Sequence, residues 1–531
     1  MPYQKKYLPL IIGMAVAAGI FIGERLQFNG SSDRLFSKNS KKEKLNRLID
    51  YIEYDYVDAI NTDSIVDVTV NGILKNLDPH STYIPKENLE RVAENMKGDF
   101  VGIGINFYTY KDSIAVIRAL DGGPSDQAGI KGGDRILIAN ADTLYGNKPE
   151  GFDVVKTLKG AINTKVNLTV YRKGEPELLR FTVNRNVVPI KSVDAAYMLT
   201  PTLGYIKINR FAESTYNEFK TGLDSLKAKG ATQIALDLRD NPGGFLSIAE
   251  KIADEFLEDE KLILFTKNKR GHIEKSFATE KGDFETGEVF VLINENSASA
   301  SEIIAGALQD NDKGTIIGRR SYGKGLVQRE MGLGDGSAVR LTVSRYYTPT
   351  GRSIQRPYNN GDNKNYYHEY VERMESGELV DAEKIKVADS LKFTTPKGKV
   401  VYGGGGIIPD IFVPLENGVQ NEILTSLQNR GIINYFMFEV LDRNRAYYNT
   451  ITKAEFISTY EIPDTIVSEF QEYLNVRMTD KISFSGFESI AKQHLKASLG
   501  EQLFGNGIFY EISNKHDNMV NKVIALSETE N

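Results

Sequence analysis

The sequence predicts an α+β multidomain protein: an N-terminal helical segment, a small β domain, an α/β core and a helical C-terminal extension. Three observations predict it. Apolar residues recur at helical spacing through 45–96, and the pattern changes to short, glycine-punctuated strands over 98–188. From 203 onward strands alternate with amphipathic helices, and past 421 only the helical pattern remains. A chain of 531 residues has material for roughly two to four such domains.

The bulk numbers narrow the function classes. Hydrophobic content of 41% and charged content of 26% are those of an ordinary globular protein, and a net charge of −6 gives no basis for a nucleic-acid partner. Cysteine is absent. That excludes disulfides, a thiolate metal site, a lipid-anchoring cysteine and a cysteine nucleophile.

At the N-terminus Lys5 and Lys6 precede an apolar run, 8–23, closed by Glu24 and Arg25. The run is short for a full membrane span, and its basic flank predicts a cytoplasmic start with the rest exported. Ala15-Val16-Ala17 offers a cleavage site, but apolar residues continue to Ile22. An uncleaved signal anchor at 1–30 is therefore preferred over a removed signal peptide. The expected location is the periplasmic face of a cell membrane, or soluble in the periplasm or medium if the segment is cut. Residues 31–97 read as a polar tether and a helical region, with Leu45, Leu48, Ile49, Ile52 and Tyr56 on one helical stripe. Leu77-Asp78-Pro79-His80-Ser81 interrupts the helices. His80 is a candidate base, set against the commoner role of a histidine in a turn as a solvated or capping group.

Residues 98–188 form the β domain. Strands are expected at 100–105, 113–119, 134–139 and 166–171, with a short helix at 124–130. Gly102-Ile103-Gly104-Ile105 at its start reads either as a glycine-containing strand or as a loop with free N–H groups. The core follows over 189–414. Strands at 203–208 and 233–238 flank a helix at 217–229, and the second strand ends in Arg239-Asp240-Asn241-Pro242-Gly243-Gly244. Amides in such a glycine turn can donate to an oxyanion, though the same residues make a routine β-turn.

The core turns on 289–328. Residues 289–293 are an apolar β-branched run, a buried strand. Ser297, Ser299 and Ser301 alternate with small residues after it, and Glu302 opens a helix. Ser299-Ala300-Ser301-Glu302 fits a capping box, and it equally fits a serine exposed at a strand-to-helix turn beside backbone N–H groups. Downstream, Lys324 lies between Gly323 and Gly325, with Gln328 four residues on. A lysine there can serve a serine as general base if burial lowers its pKa. Gly318 to Lys324 also matches most of a phosphate-binding loop, but Gly325 replaces the Ser or Thr that would hold Mg²⁺. A strand at 339–347, a polar surface insertion at about 356–399 and a strand at 407–413 complete the core. The extension, 415–531, shows no chemistry, and packing, oligomerisation and substrate gating are its candidate roles.

SASASE, the GALQD helix and SYGKGLVQ together resemble the C-terminal processing peptidases, or tail-specific proteases. The resemblance covers about 45–414 and implies a ClpP/crotonase-like α/β catalytic core. It makes Ser299 the nucleophile and Lys324, 25 positions on, its base, with Gln328 holding the lysine. It makes Gly244, or its neighbour Gly243, and Ala300 the oxyanion donors. The β domain resembles a PDZ domain, whose Gly-Φ-Gly-Φ loop (Φ apolar) matches Gly102, Ile103, Gly104 and Ile105. Such domains add a peptide as an extra strand and receive its carboxylate on the loop.

The function so implied is an exported serine endopeptidase that binds protein C-termini and cleaves near them, with no metal or other cofactor. Its partners are then protein or peptide substrates with accessible C-termini and, through the N-terminal segment, a membrane; self-association is left open. The alternative is a membrane-tethered PDZ adaptor or chaperone with an inactive protease core. A third reading is a serine hydrolase with His80 as its base.

Overall fold

The computed structural model of the chain describes residues 40–146, 152–359, 363–415, 419–478 and 482–529. The expected signal segment at 1–30 lies outside the described residues; among those described, no helix is long and apolar enough to cross a membrane. The chain divides into two compact units, one ending at Ile73 and one spanning Leu74–Asn531. The helical spacing near the N-terminus becomes the helices Ser40–Asp55 and Thr62–Lys75. The larger unit carries the β domain, the core and the extension.

That unit starts with the turn 77–81, in which Asp78 Oδ1 accepts from the His80 and Ser81 N–H groups at 2.9 and 2.8 Å. Strand β1 (Thr82–Ile84) and the helix Lys86–Lys97 follow, and Gly98 ends the helix at φ 90°, where glycine is unstrained. After β2 (Asp99–Gly102) comes an antiparallel sheet of β3 (Ile105–Tyr110), β4 (Ser113–Ala119), β5 (Arg135–Ala139), β6 (Asp142–Thr143), β7 (Lys165–Tyr171) and β8 (Leu179–Asn184). Its order is β3-β4-β5-β7-β8, with β6 on β5, so β3 is an end strand. Strand β9 (Asn186–Pro189) returns antiparallel to β2, and Ile190 N–H donates to Gly98 O at 2.8 Å. The β domain therefore leaves the core and rejoins it at one place.

The core strands are β10 (Val193–Met198), β11 (Leu203–Ile208), β12 (Gln233–Asp237), β13 (Leu262–Asn268), β14 (Ile273–Phe277), β15 (Glu288–Ile293), β16 (Gly314–Gly318), β17 (Leu326–Gly332), β18 (Ala338–Tyr347), β19 (Lys392–Thr394), β20 (Val400–Tyr402) and β21 (Ile411–Phe412). Six form a sheet in the order β10-β11-β12-β15-β16-β21, parallel from β11 onward. A second sheet, β1-β18-β13-β14 with β17 on β18, stands beside it. The expected strand at 407–413 shortens to β21. Ile407 instead exchanges hydrogen bonds with Ser321: its N–H donates to Oγ at 2.6 Å and its carbonyl accepts from the Ser321 N–H at 3.0 Å.

The apolar run at 289–293 is buried on both faces, as a parallel strand must be. Val289, Val291 and Ile293 pack with the helix Ala300–Asp310, while Phe290 and Leu292 pack with Met519, Val520 and Val523. Those last three lie on the helix Asn518–Thr529, so the end of the extension covers one side of the parallel sheet. The rest of the extension has its own core around Phe436, Phe456 and Phe470.

The segment expected as a surface insertion is mostly exposed, and it also braces the core through a few buried residues. On its helix Asn363–Glu375, Arg373 donates to Ser321 O at 2.9 Å, and Tyr367 OH donates to Pro79 O at 2.6 Å. Deeper still, Arg352 and Asp310 form an ion pair with no side-chain exposure on either partner, at 2.7 Å. Asp310 also accepts from the Thr350 N–H and hydroxyl. Asp310→Ala should therefore leave Arg352 as a buried unpaired charge and lower unfolding stability by about 3–5 kcal/mol, measured by denaturant titration.

Candidate active site

Strand β15 delivers the chain to the carboxyl edge of the parallel sheet, where clefts form in such folds. The three serines after it differ in what they hold. Ser297 Oγ donates to Leu238 O at 2.8 Å and accepts from the Asn294 N–H at 2.9 Å, and Ser301 Oγ donates to Asn241 O at 3.0 Å. Both pin the 238–241 turn to the serine segment. At Ser299, Glu302 reaches back to the N–H at 2.8 Å, as in a capping box. The Ser299 backbone stands at φ 57°, ψ −112°. A non-glycine residue held there costs about 1–3 kcal/mol, a strain that gathers at functional turns.

The 239–244 segment packs directly on this turn. A Cβ on Gly243 would come within 2.8 Å of Ser299 Cβ, and one on Gly244 within 2.1 Å of Phe211 O. Glycine is required at both for close approach. The two amides differ in use. Gly243 N–H donates to Asn241 Oδ1 at 2.9 Å, whereas the Gly244 and Ala300 N–H groups have no protein acceptor among the described residues. The Gly243 amide is thereby occupied, and the unused pair is Gly244 and Ala300.

Lys324 reaches the same place from the other side. Ser299 and Lys324 both line one cavity of about 750 Å³, together with Met96, Phe245, Leu246 and Tyr346. Burial, reinforced by the charge of Arg340, holds the Lys324 amine below the usual lysine range, against the opposing pull of Glu302 and Asp78. Lys324 Nζ donates to Gln328 Oε1 at 3.1 Å, and Gln328 Nε2 donates to the His80 carbonyl. No hydrogen bond joins Lys324 Nζ to Ser299 Oγ among the described residues.

His80 enters by its backbone rather than its ring. Its Nε2 lies 2.8 Å from Tyr366 OH, and burial, with the charge of Lys324, pushes its pKa down to about 3. The imidazole is therefore neutral at ordinary pH, and it does not line the cavity. The 77–81 turn acts instead as the seat of Gln328.

Glu302 is the residue whose reach the sequence concealed. Fully buried, it accepts from the Ser299 N–H (2.8 Å), Ser321 Oγ (2.6 Å), Gly323 N–H (2.6 Å) and Lys324 N–H (2.8 Å). Burial raises its pKa while those four donors pull it down. Its position in SASASE signals a cap. Nothing local signals that the same carboxylate meets the lysine loop.

In the β domain, Gly102, Ile103, Gly104 and Ile105 link β2 to the end strand β3. Ser125 N–H donates to Ile103 O at 2.9 Å and Leu120 N–H to Gly104 O at 3.0 Å, which fixes the loop. Gly104 has φ 70°, and a Cβ there would press Pro124 at 3.2 Å.

Fold and site together are those of a serine-type peptidase that carries a PDZ domain. A PDZ domain model matches residues 101–183, the peptidase family S41 model matches 202–362, and a family of unknown function, DUF8443, matches 423–505 in the extension. A carboxy-terminal-processing protease of Bartonella bacilliformis is 33% identical over 346 residues, 64% of this chain and 79% of the relative. A probable CtpA-like serine protease of Staphylococcus aureus is 32% identical over 360 residues, 66% of this chain and 70% of the relative. Among solved structures, a photosystem II D1 C-terminal processing protease is 24% identical, covering 70% of this chain and 86% of its own, with a TM-score of 0.36. The chain belongs to peptidase family S41, with the carboxy-terminal-processing proteases.

Glu302→Gln keeps the shape of the side chain but turns an NH₂ group toward N–H donors. Each buried donor left unmet costs about 1–3 kcal/mol. The variant should unfold at lower denaturant by that amount or more and lose peptidase activity, read by equilibrium unfolding and by digestion of an unfolded protein.

Proposed function

We propose that the protein is an exported endopeptidase that captures protein C-termini on its PDZ domain and cleaves them with a Ser299–Lys324 dyad. One observation carries the reading. Ser299 and a desolvated Lys324 line one cavity, beside two amides that have no protein acceptor among the described residues.

In the free enzyme the Lys324 amine rests on Gln328. Attack requires it to shift toward Ser299. Neutral Lys324 then takes the hydroxyl proton as Ser299 Oγ bonds to the scissile carbonyl carbon, and the carbonyl oxygen gains the negative charge. The Gly244 and Ala300 N–H groups donate to that oxygen. As the tetrahedral adduct collapses, Lys324 returns the proton to the departing amine. Water, deprotonated by the same lysine, releases the acyl group and restores the serine. Gln328 aims the amine through its seat on the His80 carbonyl, and its neutrality leaves the amine free to lose its proton.

Export rests on Lys5 and Lys6 before the apolar run at 8–23. The full chain should sediment with membranes and be digested by protease added from outside the inner membrane, and deletion of 1–30 should move it to the soluble cytoplasmic fraction. Retention of the full chain in the cytoplasm would remove this part of the reading.

For the chemistry, intact-mass analysis of an unfolded protein with an apolar C-terminus reports both activity and cut position. Fragments are expected with wild type and none with Ser299→Ala. Lys324→Ala should cost at least about a hundredfold in rate and His80→Ala less than about tenfold; the opposite ranking would sink the dyad. Because the base must be uncharged and burial lowers its pKa, kcat/KM should rise with pH through an apparent pKa below the 10.5 of an ordinary lysine.

A further inference from the structure

The helical extension meets the PDZ domain, where Tyr108 and Tyr110 pack on Phe438 and Arg135 pairs with Asp442. It also meets the rim of the parallel sheet, and there it brings a charge. Asp237, the last residue of β12, is fully buried. Its carboxylate accepts from Tyr205 OH at 2.7 Å, from Lys207 Nζ at 3.1 Å, and from the Arg239 N–H and Nε at 2.9 and 3.0 Å. One anion of the core thus serves two cations. Among the described residues, the second anion paired with this cluster comes from the extension: Asp517 Oδ2 accepts from Arg239 Nη1 at 2.6 Å. Tyr510 of the extension closes over the cluster, with its ring centroid 6.0 Å from Lys207 Nζ. Two positive charges then meet two negative ones.

Arg239 opens the turn that ends on Gly244. Lys207 Nζ also donates to the Arg239 carbonyl, so the cluster holds this residue by backbone and side chain together. Asp240, next in line, stands at φ 57°. A non-glycine residue keeps such a conformation only where its surroundings over-determine it. On one side Asn294 and Asn296 do so: the Asp240 N–H donates to Asn294 Oδ1 at 2.9 Å, and Asp240 Oδ1 accepts from the two amide side chains at 2.9 and 2.8 Å. On the other side stands Arg239. Without Asp517 the guanidinium and Lys207 compete for a single carboxylate, and the start of the turn loses its tie to the extension.

We propose that Asp517 is a positioning residue for peptide cleavage: acting through Arg239, it holds the 239–244 turn so that the Gly244 N–H stands where the oxyanion forms. The inference rests on the reading of Gly244 as an oxyanion donor beside the Ser299–Lys324 dyad. A slightly displaced donor costs little while the substrate carbonyl is uncharged and much once that oxygen carries charge. The effect therefore falls on kcat and spares KM. A segment with no reacting group of its own then helps set the rate at the serine.

Asp517 also caps the last helix, since its Oδ1 accepts from the Val520 N–H at 3.0 Å, and the test separates the two roles. Asp517→Ser can still cap the helix but is too short to reach Arg239, whereas Asp517→Glu keeps a carboxylate in reach and caps poorly. Activity should follow the ion pair, and melting temperature the cap. With the full chain and an internally quenched peptide ending in an apolar residue, Asp517→Ser should lose about tenfold or more in kcat per folded molecule, with KM within about twofold. Affinity for a peptidyl boronate, whose tetrahedral adduct puts an oxygen at the same amides, should fall by a like factor. Asp517→Glu should recover most of both. In an Arg239→Lys background Asp517→Ser should cost nothing further. Unchanged kcat in Asp517→Ser, a loss taken up in KM, a Glu variant no better than Ser, or the full loss repeated in the Arg239→Lys background overturns the proposal. An inactive wild type, or activity that survives Ser299→Ala, overturns the dyad reading itself and the positioning role with it.

Discussion

The Glu302 carboxylate accepts hydrogen bonds from the Ser299 turn and from the lysine loop, and so ties the two segments together. All four donors are neutral, so the buried anion is solvated by fixed dipoles instead of by a countercharge. This matters for the lysine. An anion this near raises the Lys324 pKa, yet desolvation outweighs it and the net direction is down. A direct carboxylate partner would have reversed that balance. The fold instead fastens the lysine loop by its backbone and gives the amine itself only the neutral carbonyl of Gln328.

Much of this was legible in the chain. The 289–293 run, the alternating serines and the glycine-flanked lysine are local signals, because each reports the demands of its own strand, turn or loop. What stayed hidden depends on partners remote in sequence. The difference between the Gly243 and Gly244 amides depends on the Asn241 side chain, which accepts from the first. The use of Gln328 depends on a carbonyl 248 positions away. His80 invited a chemical role by its residue type, but a ring held against Tyr366 and a carbonyl facing Gln328 give it a mechanical one.

The regions without obvious chemistry turn out to hold the site in shape. The insertion clasps both the 77–81 turn and Ser321, so residues outside the motifs set where the motif loops stand. The extension works on both sides: its last helix roofs the parallel sheet, and its Ile432–Arg443 helix grips the PDZ domain through an aromatic clasp and an ion pair. A polar, mixed-charge sequence disguises such braces, since ion pairs between buried arginines and carboxylates look in one dimension like a solvated surface.

The paired strands β2 and β9 carry a further implication. Because Ile190 hydrogen-bonds to Gly98, the ends of the whole PDZ domain lie side by side at a single doorway in the core. A segment inserted in this way can diverge, or be exchanged for another binding module, without any strand of the parallel core sheet changing its neighbours. Taste for substrate and capacity for bond breaking are thus free to evolve at different rates within one polypeptide.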